Sequence, residues 1–339
     1  MRLSLATAAA AFAFALGGVA MPVAGLAGKT ISTTTSDNSC SRECMTTIVD
    51  QVLASMLLHN PNILPLAATY YATENSHPAA LGMMTLWRTV TSAGSPSLLA
   101  IDTISGSAYF SLDVTEGSEA KKSVLWARIK VVDKQITQLE LYVNRSRGDH
   151  GFSFSAVELP RNYERWMSPP ADRDNATRAV LESLSAATFN PNDTISVTVA
   201  DDCQFTEEGW SVIDPGPDGN GSTTPLGCSW RQHRPADADA RLNLVIDEQY
   251  GIVVTGAIIP GKIYPYGEIS AFIPNDMKEA QVQQDEWLAK KQASGNTSLL
   301  APTAATGETL QVLQFYNGKL QGQQVMLYLS GPDMKSAWP

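Results

Sequence analysis

Charged residues inside apolar, strand-like segments are the first candidates for chemistry. Arg128 and Glu140 lie in a segment that reads as an apolar hairpin, and Glu74 and Glu207 stand beside strand-like residues. A charge in such a strand must be paired, exposed or functional. The hairpin pair is therefore either a structural ion pair or a catalytic pair. The register of the hairpin decides which face these side chains occupy, because a slip of one residue inverts it.

Aromatic residues are the second set of candidates. Their large apolar faces and hydrogen-bonding edges suit a pocket for a flat hydrophobic ligand. The predicted lining consists of Trp87, Tyr109, Trp126, Tyr142, Trp210, Trp230 and Tyr250, with Glu140 as a polar member. The alternative is that these residues form core, where aromatic residues of strands usually lie.

The sequence motifs of several enzyme classes are absent. There is no G-x-S-x-G elbow, H-E-x-x-H motif, P-loop or dinucleotide-binding pattern. The four histidines have no spacing that supports a metal cluster: His59, His77, His150 and His233. We therefore expect no metal and no cofactor, so any catalysis must come from positioning and hydrogen-bond polarisation.

Composition and charge limit the partners. The chain has 339 residues, with 24 Lys and Arg against 34 Asp and Glu, and a net charge of −10. Such acidity argues against nucleic acid, whose binding proteins need a basic surface. Hydrophobic residues make up 44% of the chain, which predicts a folded protein. The length allows two domains or one large one.

The N-terminus predicts secretion. One arginine precedes an apolar run over residues 3–16, and small residues follow. This is the pattern of a signal peptide, which we assign to residues 1–28. The alternative is a retained signal anchor, because the apolar character continues to Leu26. No later stretch is apolar enough to span a bilayer, so we expect no stable membrane insertion after cleavage.

Cysteines and glycosylation sequons agree with this compartment. Four cysteines allow three pairings. We favour Cys40 with Cys44 at a helix start, and Cys203 with Cys228 around a Gly- and Pro-rich loop. N-x-S/T sequons begin at Asn144, Asn175, Asn192, Asn220 and Asn296. These features together predict a secreted, disulfide-bonded glycoprotein.

The elements that position these residues occur twice. Asn60-Pro61-Asn62 and Asn190-Pro191-Asn192 each follow a helix-like segment, and Thr73-Glu74 and Thr206-Glu207 come next in each half. Two further pairs of segments match: Ser105–Val114 with Gln249–Ile258, and Ala127–Val143 with Val312–Leu329. The shared order predicts a two-fold repeat of a helix followed by a twisted antiparallel sheet.

The repeat predicts the domain organisation. The expected units are a first domain over 29–150, a connector over 151–177 and a second domain over 178–339. An insertion over 275–307 begins as a helix capped by Asn275 or Asp276 and ends as a Ser-, Thr-, Pro- and Gly-rich loop. It is either a surface excursion that carries a glycan or a lid over a pocket.

This order of elements resembles the cone-shaped SnoaL-like fold of the nuclear transport factor 2 superfamily. The whole mature chain resembles a family of secreted fungal and bacterial proteins built as two such cones. In the first half the resemblance rests on Cys40, Cys44, Thr73-Glu74-Asn75, Leu86-Trp87-Arg88-Thr89 and Ala127–Glu140. In the second half it rests on Cys203, Glu207, Gly227-Cys228, Val245-Ile246-Asp247-Glu248, Tyr250-Gly251 and Gly331–Trp338. The sequence departs from the family over Ser76–Thr85 and in the insertion.

The resemblance implies an α+β fold of two tandem cones, each a helix packed on a curved antiparallel sheet. The chain also resembles the fungal hetero-Diels-Alderases of tropolone sesquiterpenoid pathways. That likeness implies a cofactor-independent pericyclase, which dehydrates a precursor to a quinone methide and then joins it to a terpene alkene by [4+2] cyclisation. Glu74 or Glu207 would transfer the proton, and Arg128, or a Tyr or Trp donor, would polarise the carbonyl of the heterodiene.

Two other classes of protein fit the same sequence. A secreted binding protein for a small hydrophobic molecule needs the same cavity, without a titratable group aimed into it. A structural or host-interaction protein has cones filled by their own side chains. A homodimer fits as well, because the open face of a cone's sheet is commonly covered by a partner.

Overall fold

A computed structural model describes residues 39–145, 154–212, 227–230, 234–265, 272–296 and 299–338. The protein has an α+β fold with two seven-stranded sheets, one of them strongly curled into a half-barrel. This confirms the predicted fold class. The predicted signal peptide, His150, Asn220 and His233 lie outside the described residues.

The helices and strands follow the chain in two similar series. The first comprises α1 (Arg42–Leu57), β1 (Leu66–Glu74), β2 (His77–Pro78), α2 (Thr85–Thr89), β3 (Val90–Ala93), β4 (Leu98–Asp102), β5 (Ser107–Glu116), β6 (Lys121–Val132) and β7 (Gln135–Asn144). The predicted connector contains a helix, α3 (Leu159–Met167). The second comprises α4 (Arg178–Thr188), β8 (Thr198–Glu207), β9 (Trp210–Ser211), β10 (Arg241–Asp247), β11 (Ile252–Ile263), β12 (Phe272–Pro274), α5 (Lys278–Ala293), β13 (Thr303–Tyr316) and β14 (Lys319–Ser330).

Both sheets have the same strand order. The first runs β2-β1-β7-β6-β5 with β4 on β5, and the second runs β9-β8-β14-β13-β11-β10. In each, the strand after the long helix pairs in parallel with the last strand, β1 with β7 and β8 with β14. The repeat is therefore present in the topology, and we refer to the two halves as the first and second repeats.

One stretch of the sequence alignment differs from the structure by one residue. Aligning Ser105 with Gln249 sets Gly106 against Tyr250. In the structure Gly106 corresponds to Gly251, because both glycines have a positive φ, 67° and 65°. An added Cβ would lie 2.4 Å and 2.2 Å from a neighbouring carbonyl oxygen, respectively. Each position therefore needs glycine for both its conformation and its close contact.

Each long helix packs on one face of its own sheet. Helix α1 begins where the Ser41 hydroxyl accepts a hydrogen bond from Cys44 N at 3.2 Å, an N-cap contact. Its buried side chains, which include Met45, Val49 and Met56, form the first core with one face of the first sheet. Helix α4 forms the corresponding core of the second repeat.

A further core lies between the two sheets. It combines Tyr109, Trp126 and Tyr142 of the first sheet with residues such as Val254 of the second, and with Trp166 of α3. The second face of each sheet is therefore covered by the other half of the same chain. The open face that suggested a homodimer is thus covered within one chain in the part that the structure describes, and the homodimer stays a prediction.

Two reciprocal ion pairs join the repeats, and we call them the cross-repeat latch. Arg42 Nη2 lies 2.5 Å from Asp247 Oδ1, and the two Nη atoms of Arg178 lie 3.0 and 2.9 Å from the carboxylate of Asp102. Each arginine is the first residue of its helix, α1 or α4, and each aspartate ends a strand, β10 or β4. Because each arginine reaches the aspartate of the other repeat, the contacts indicate a two-fold relation between them.

Both expected disulfides are present. Cys40 is bonded to Cys44, and Cys203 to Cys228. Such bonds are typical of proteins that fold in an oxidising compartment, and no helix among the described residues is long and apolar enough to span a membrane. Three of the sequon asparagines are exposed, namely Asn175, Asn192 and Asn296. Asn144 is half-buried. Secretion and glycosylation remain predictions.

The insertion is shorter than its composition predicts, because its helix begins later and the following strand begins earlier. Helix α5 begins at Lys278, with Met277 rather than Asn275 or Asp276 as its N-cap residue. The Asp276 carboxylate instead accepts a hydrogen bond from Ala236 N at 2.9 Å. None of the described side chains of α5 is buried, and strand β13 already begins at Thr303. This part of the insertion is a surface helix.

Candidate functional site

The hairpin of β6 and β7 brings together the predicted pair. Arg128 and Glu140 stand opposite each other in its register, and Arg128 Nε lies 2.8 Å from Glu140 Oε2. Arg128 Nη2 also donates to Gln138 Oε1 at 2.9 Å. Both charged side chains are almost completely buried, with exposed fractions of 5% and 0%. The hairpin therefore contains a buried Arg128–Glu140 ion pair.

A second arginine reaches the same carboxylate from the other repeat. Arg241, the first residue of β10, donates to both oxygens of Glu140 at 3.0 and 2.6 Å. It also lies 3.5 Å from Glu308 Oε1 on β13. Arg128, Glu140, Arg241 and Glu308 thus form a continuous buried cluster, which we call the arginine–glutamate network. Sequence analysis missed Arg241 and Glu308, because neither lies near the hairpin in the sequence.

The two glutamates of the network have opposite pKa shifts. Burial opposes ionisation of Glu140, but the positive charges of Arg241 and Arg128 outweigh it and lower its pKa. Burial raises the pKa of Glu308 to about 7, and the nearby Glu140 carboxylate adds to this rise. The network thus combines two arginines and one carboxyl of lowered pKa with a second carboxyl whose pKa is raised to about 7.

The C-terminal segment folds back over this network. The Trp338 ring lies 5.1 Å from Arg128 Cζ and 5.8 Å from Arg241 Cζ, measured from its centroid. Tyr71 meets the same ring edge-on, with centroids 4.9 Å apart, and its hydroxyl donates to the Ala337 carbonyl at 2.7 Å. Such cation–π and edge-to-face contacts are favourable. Trp338 is therefore buried although it lies in a terminal segment.

A cavity of about 520 Å³ opens beside this indole ring. Its walls are Tyr71, Gln138, Ser336, Ala337 and Trp338. Arg128 lies directly behind two of these residues, since it bonds Gln138 and contacts the Trp338 ring. The site thus combines two aromatic rings, an amide and a hydroxyl with buried positive charge behind them.

The predicted proton-transfer residues lie at corresponding strand ends. Both carboxylate oxygens of Glu74 accept backbone hydrogen bonds, from Thr85 N at 3.0 Å and Leu86 N at 2.9 Å. Glu74 therefore caps the N-terminus of α2. Glu207 is half-buried at the end of β8, opposite Trp210 of β9. Neither glutamate lines the cavity beside Trp338.

The predicted aromatic residues are distributed over the cores of the protein. Trp87 is buried beneath α1, with its Nε1 donating to Ser55 Oγ at 3.1 Å. Tyr109, Trp126 and Tyr142 belong to the core between the sheets, and the Tyr142 hydroxyl donates to Glu140 Oε1 at 3.0 Å.

The remaining aromatic residues are half-buried. Tyr250 packs at the edge of the core between the sheets, beneath Arg42. Trp230 packs on the core of the second repeat, beneath Arg234, and Trp210 is half-buried on β9. None of the predicted aromatic residues lines the cavity beside Trp338, whose aromatic walls are Tyr71 and Trp338.

Within the described residues, no group of three or more His, Cys, Asp or Glu side chains is placed to hold a metal ion. His59 Nδ1 instead contacts the Trp87 carbonyl at 2.8 Å, and His77 Nδ1 contacts the Asn75 carbonyl at 2.6 Å.

Comparisons with known proteins identify no family for the chain. No family model matches it, and no curated protein matches it. Among solved structures, it is similar to a de novo designed protein with a curved β-sheet, at 13% identity over 37% of this chain and 98% of that chain, with a TM-score of 0.26. The fold itself is a two-sheet, cone-like α+β arrangement.

Proposed function

We propose that the protein binds a small, flat molecule in the cavity beside Trp338. The observation that carries this proposal is the cavity itself, about 520 Å³ in volume, with two aromatic residues in its wall. Small-molecule sites usually have volumes of about 300–1,000 Å³ and combine aromatic walls with a few polar groups. This is the binding-protein interpretation of the sequence, with other wall residues than those predicted.

The polar groups around the cavity are already fixed by the protein. Gln138 is held by Arg128, and Arg128 is held by Glu140. A ligand that enters therefore meets an amide and a guanidinium group that are already ordered, so little conformational entropy of these two groups is lost on binding.

Fluorescence titration with N-phenyl-1-naphthylamine, a neutral aromatic probe, tests this proposal. We expect saturable binding at one site per chain, and we expect Ser336→Trp to abolish it because the new ring fills the cavity. The matched control is Lys335→Trp, the neighbouring exposed position outside the cavity wall. No saturable binding, or equal binding by both variants, would remove the basis for this function.

Glu308 favours a second candidate, the cofactor-free cyclase. A carboxyl with a pKa of about 7 is suited to give and take a proton near neutral pH. In this scheme Glu308 replaces Glu74 and Glu207 as the acid. It protonates the leaving hydroxyl, the C–O bond breaks, and water leaves. The carboxylate then takes the enol proton of the cation, which gives the quinone methide for [4+2] cyclisation.

The products formed from a hydroxylated tropolone and a terpene alkene test this candidate. We expect cyclised product with the natural chain and its loss with Glu308→Gln, while Glu119→Gln, at an exposed acid paired with Lys121, leaves the product ratio unchanged. Equal products with and without protein would exclude the enzyme.

A further inference from the structure

The two repeats present the same surface position to two different tryptophans. In the first sheet, Tyr71 of β1 pairs with Gln138 of β7. In the second sheet, the corresponding residues are Gln204 of β8 and Gly322 of β14, which also pair. Trp338 covers the first of these positions, and Trp166 covers the second. Each tryptophan belongs to the segment that follows the last strand of the other repeat.

Trp166 is built firmly into its position. Its Nε1 donates to Gln204 Oε1 at 3.0 Å, and its carbonyl accepts from Gln314 Nε2 at 2.8 Å. Gly322 leaves the space that the ring fills, because an added Cβ would lie 2.4 Å from Trp166 Cζ2. Helix α3 supplies further buried side chains, Leu159 and Tyr163, beside it.

Trp338 is held far less firmly in the equivalent position. Its segment, residues 331–338, contains neither helix nor strand. The Trp338 Nε1 is buried and has no hydrogen-bond partner within the described part of the chain. A cavity lies beside it. The first repeat therefore holds its tryptophan with fewer hydrogen bonds than the second repeat does.

The groups beneath Trp338 also differ from those beneath Trp166. The positions of Arg128 and Glu140 in the first repeat are taken by Val312 and Gln324 in the second. Trp338 therefore covers two guanidinium groups with its ring face. A ligand in the same place would meet those groups directly, and planar guanidinium groups pair well with both aromatic faces and carboxylates.

We propose that the Trp338 indole is a displaceable plug, and that a planar aromatic anion takes its place over Arg128 and Arg241. This inference rests on the proposed binding function and assigns its ligand class. The aromatic ring of the ligand replaces the indole against Tyr71, and its acidic group pairs with the arginines. The segment 331–338 then moves away from the network.

Two fluorescent probes with the same aromatic skeleton test the proposal. 1-Anilinonaphthalene-8-sulfonate carries an anionic group, and N-phenyl-1-naphthylamine does not. We expect Trp338→Ala to tighten binding of the sulfonate by about tenfold, the gain if the plug is open roughly a tenth of the time in the natural chain. The neutral probe should gain clearly less. Trp338→Phe, which keeps a smaller ring, should gain less than Trp338→Ala. Lys335→Ala, on the same segment but outside the cavity wall, should behave like the natural chain.

Two further measurements keep the test decisive if Trp338→Ala folds poorly. Tyr71→Phe removes the hydrogen bond to Ala337 and keeps the ring, so it should tighten sulfonate binding modestly. A synthetic peptide of residues 332–339 should displace the sulfonate from Tyr71→Phe, and the same peptide with Trp338 replaced by Ala should not.

The outcomes separate this inference from the proposed function. If neither probe binds any of these proteins, both are wrong. If the neutral probe binds and Trp338→Ala weakens or does not change sulfonate binding, the function stands, but the indole is a fixed wall rather than a plug. Equal gains for both probes would refute the anionic ligand.

Discussion

The cross-repeat latch makes a strong prediction about stability. Arg178→Gln removes the bidentate partner of Asp102, a carboxylate with only 1% of its side chain exposed. Removing one partner of a buried ion pair costs about 3–5 kcal/mol. Because 25% of the Arg178 side chain is exposed, solvent screening reduces this value. Asp102 also keeps hydrogen bonds from Ile104 N and Ser105 N, both at 3.1 Å. We therefore expect a loss of about 2–3 kcal/mol.

Urea denaturation followed by circular dichroism measures this loss. The matched control is Glu182→Gln, which removes the exposed i,i+4 partner of the same arginine and should cost less than about 0.5 kcal/mol. Arg42→Gln, the equivalent change in the first repeat, should resemble Arg178→Gln, because Asp247 is equally buried. If Arg178→Gln destabilises the protein no more than Glu182→Gln, the latch does not hold the repeats together.

Two further predictions concern the network and the second tryptophan. The folded pKa of Glu308 is about 7, above the usual 4.5. The folded protein therefore binds the extra proton between these values and loses stability as pH rises through them. Glu308→Gln should thus be more stable than the natural chain by about 2–3 kcal/mol at pH 8 but not at pH 4, whereas Glu119→Gln should show no such difference. Tyr142, Arg241 and His77 oppose the rise in the Glu308 pKa, whereas Glu140 adds to it, and Tyr328 also faces this carboxyl. A stability difference that stays constant across the pH range would contradict the prediction. Gly322→Ala should cost about 1–3 kcal/mol in urea denaturation, because its Cβ meets the Trp166 ring. Gly94→Ala, with no atom within 4 Å of the added Cβ, should cost much less stability. Equal losses of stability in the two variants would show that the Trp166 ring moves aside without cost.

Short sequence motifs predicted the repeat because the same turn occurs at the same place in both halves. Asn60 and Asn190 each accept a hydrogen bond from the backbone two residues on, at 3.1 Å. This turn chemistry is readable from sequence. Thr73 and Thr206 likewise lie at the corresponding ends of β1 and β8. The two disulfides are the favoured choice among three possible pairings. The sequence left the hairpin register open, and the structure sets it at a turn where Asp133 and Lys134 both have positive φ.

The site was harder to predict because its parts come from distant segments. Arg241 lies 101 residues from Glu140 in the sequence, and Trp338 reaches the network from the far end of the chain. A comparison of the repeats could have found the latch, since Arg42 and Arg178 occupy equivalent helix starts. The predicted aromatic residues do not line this cavity, and strand alternation alone does not distinguish a pocket from a core between sheets.

The second repeat serves as an internal control for the charges of the first. Its sheet keeps the same strand order and the same pairing with Val312 and Gln324 where the first sheet has Arg128 and Glu140. The architecture therefore does not require a buried ion pair at this position. Buried ion pairs are also seldom more stabilising than apolar residues of similar size. The charges are thus poorly explained by folding alone. The charged residues lie beneath Trp338 and beside the cavity. A role in ligand binding would explain why charges are kept at this position.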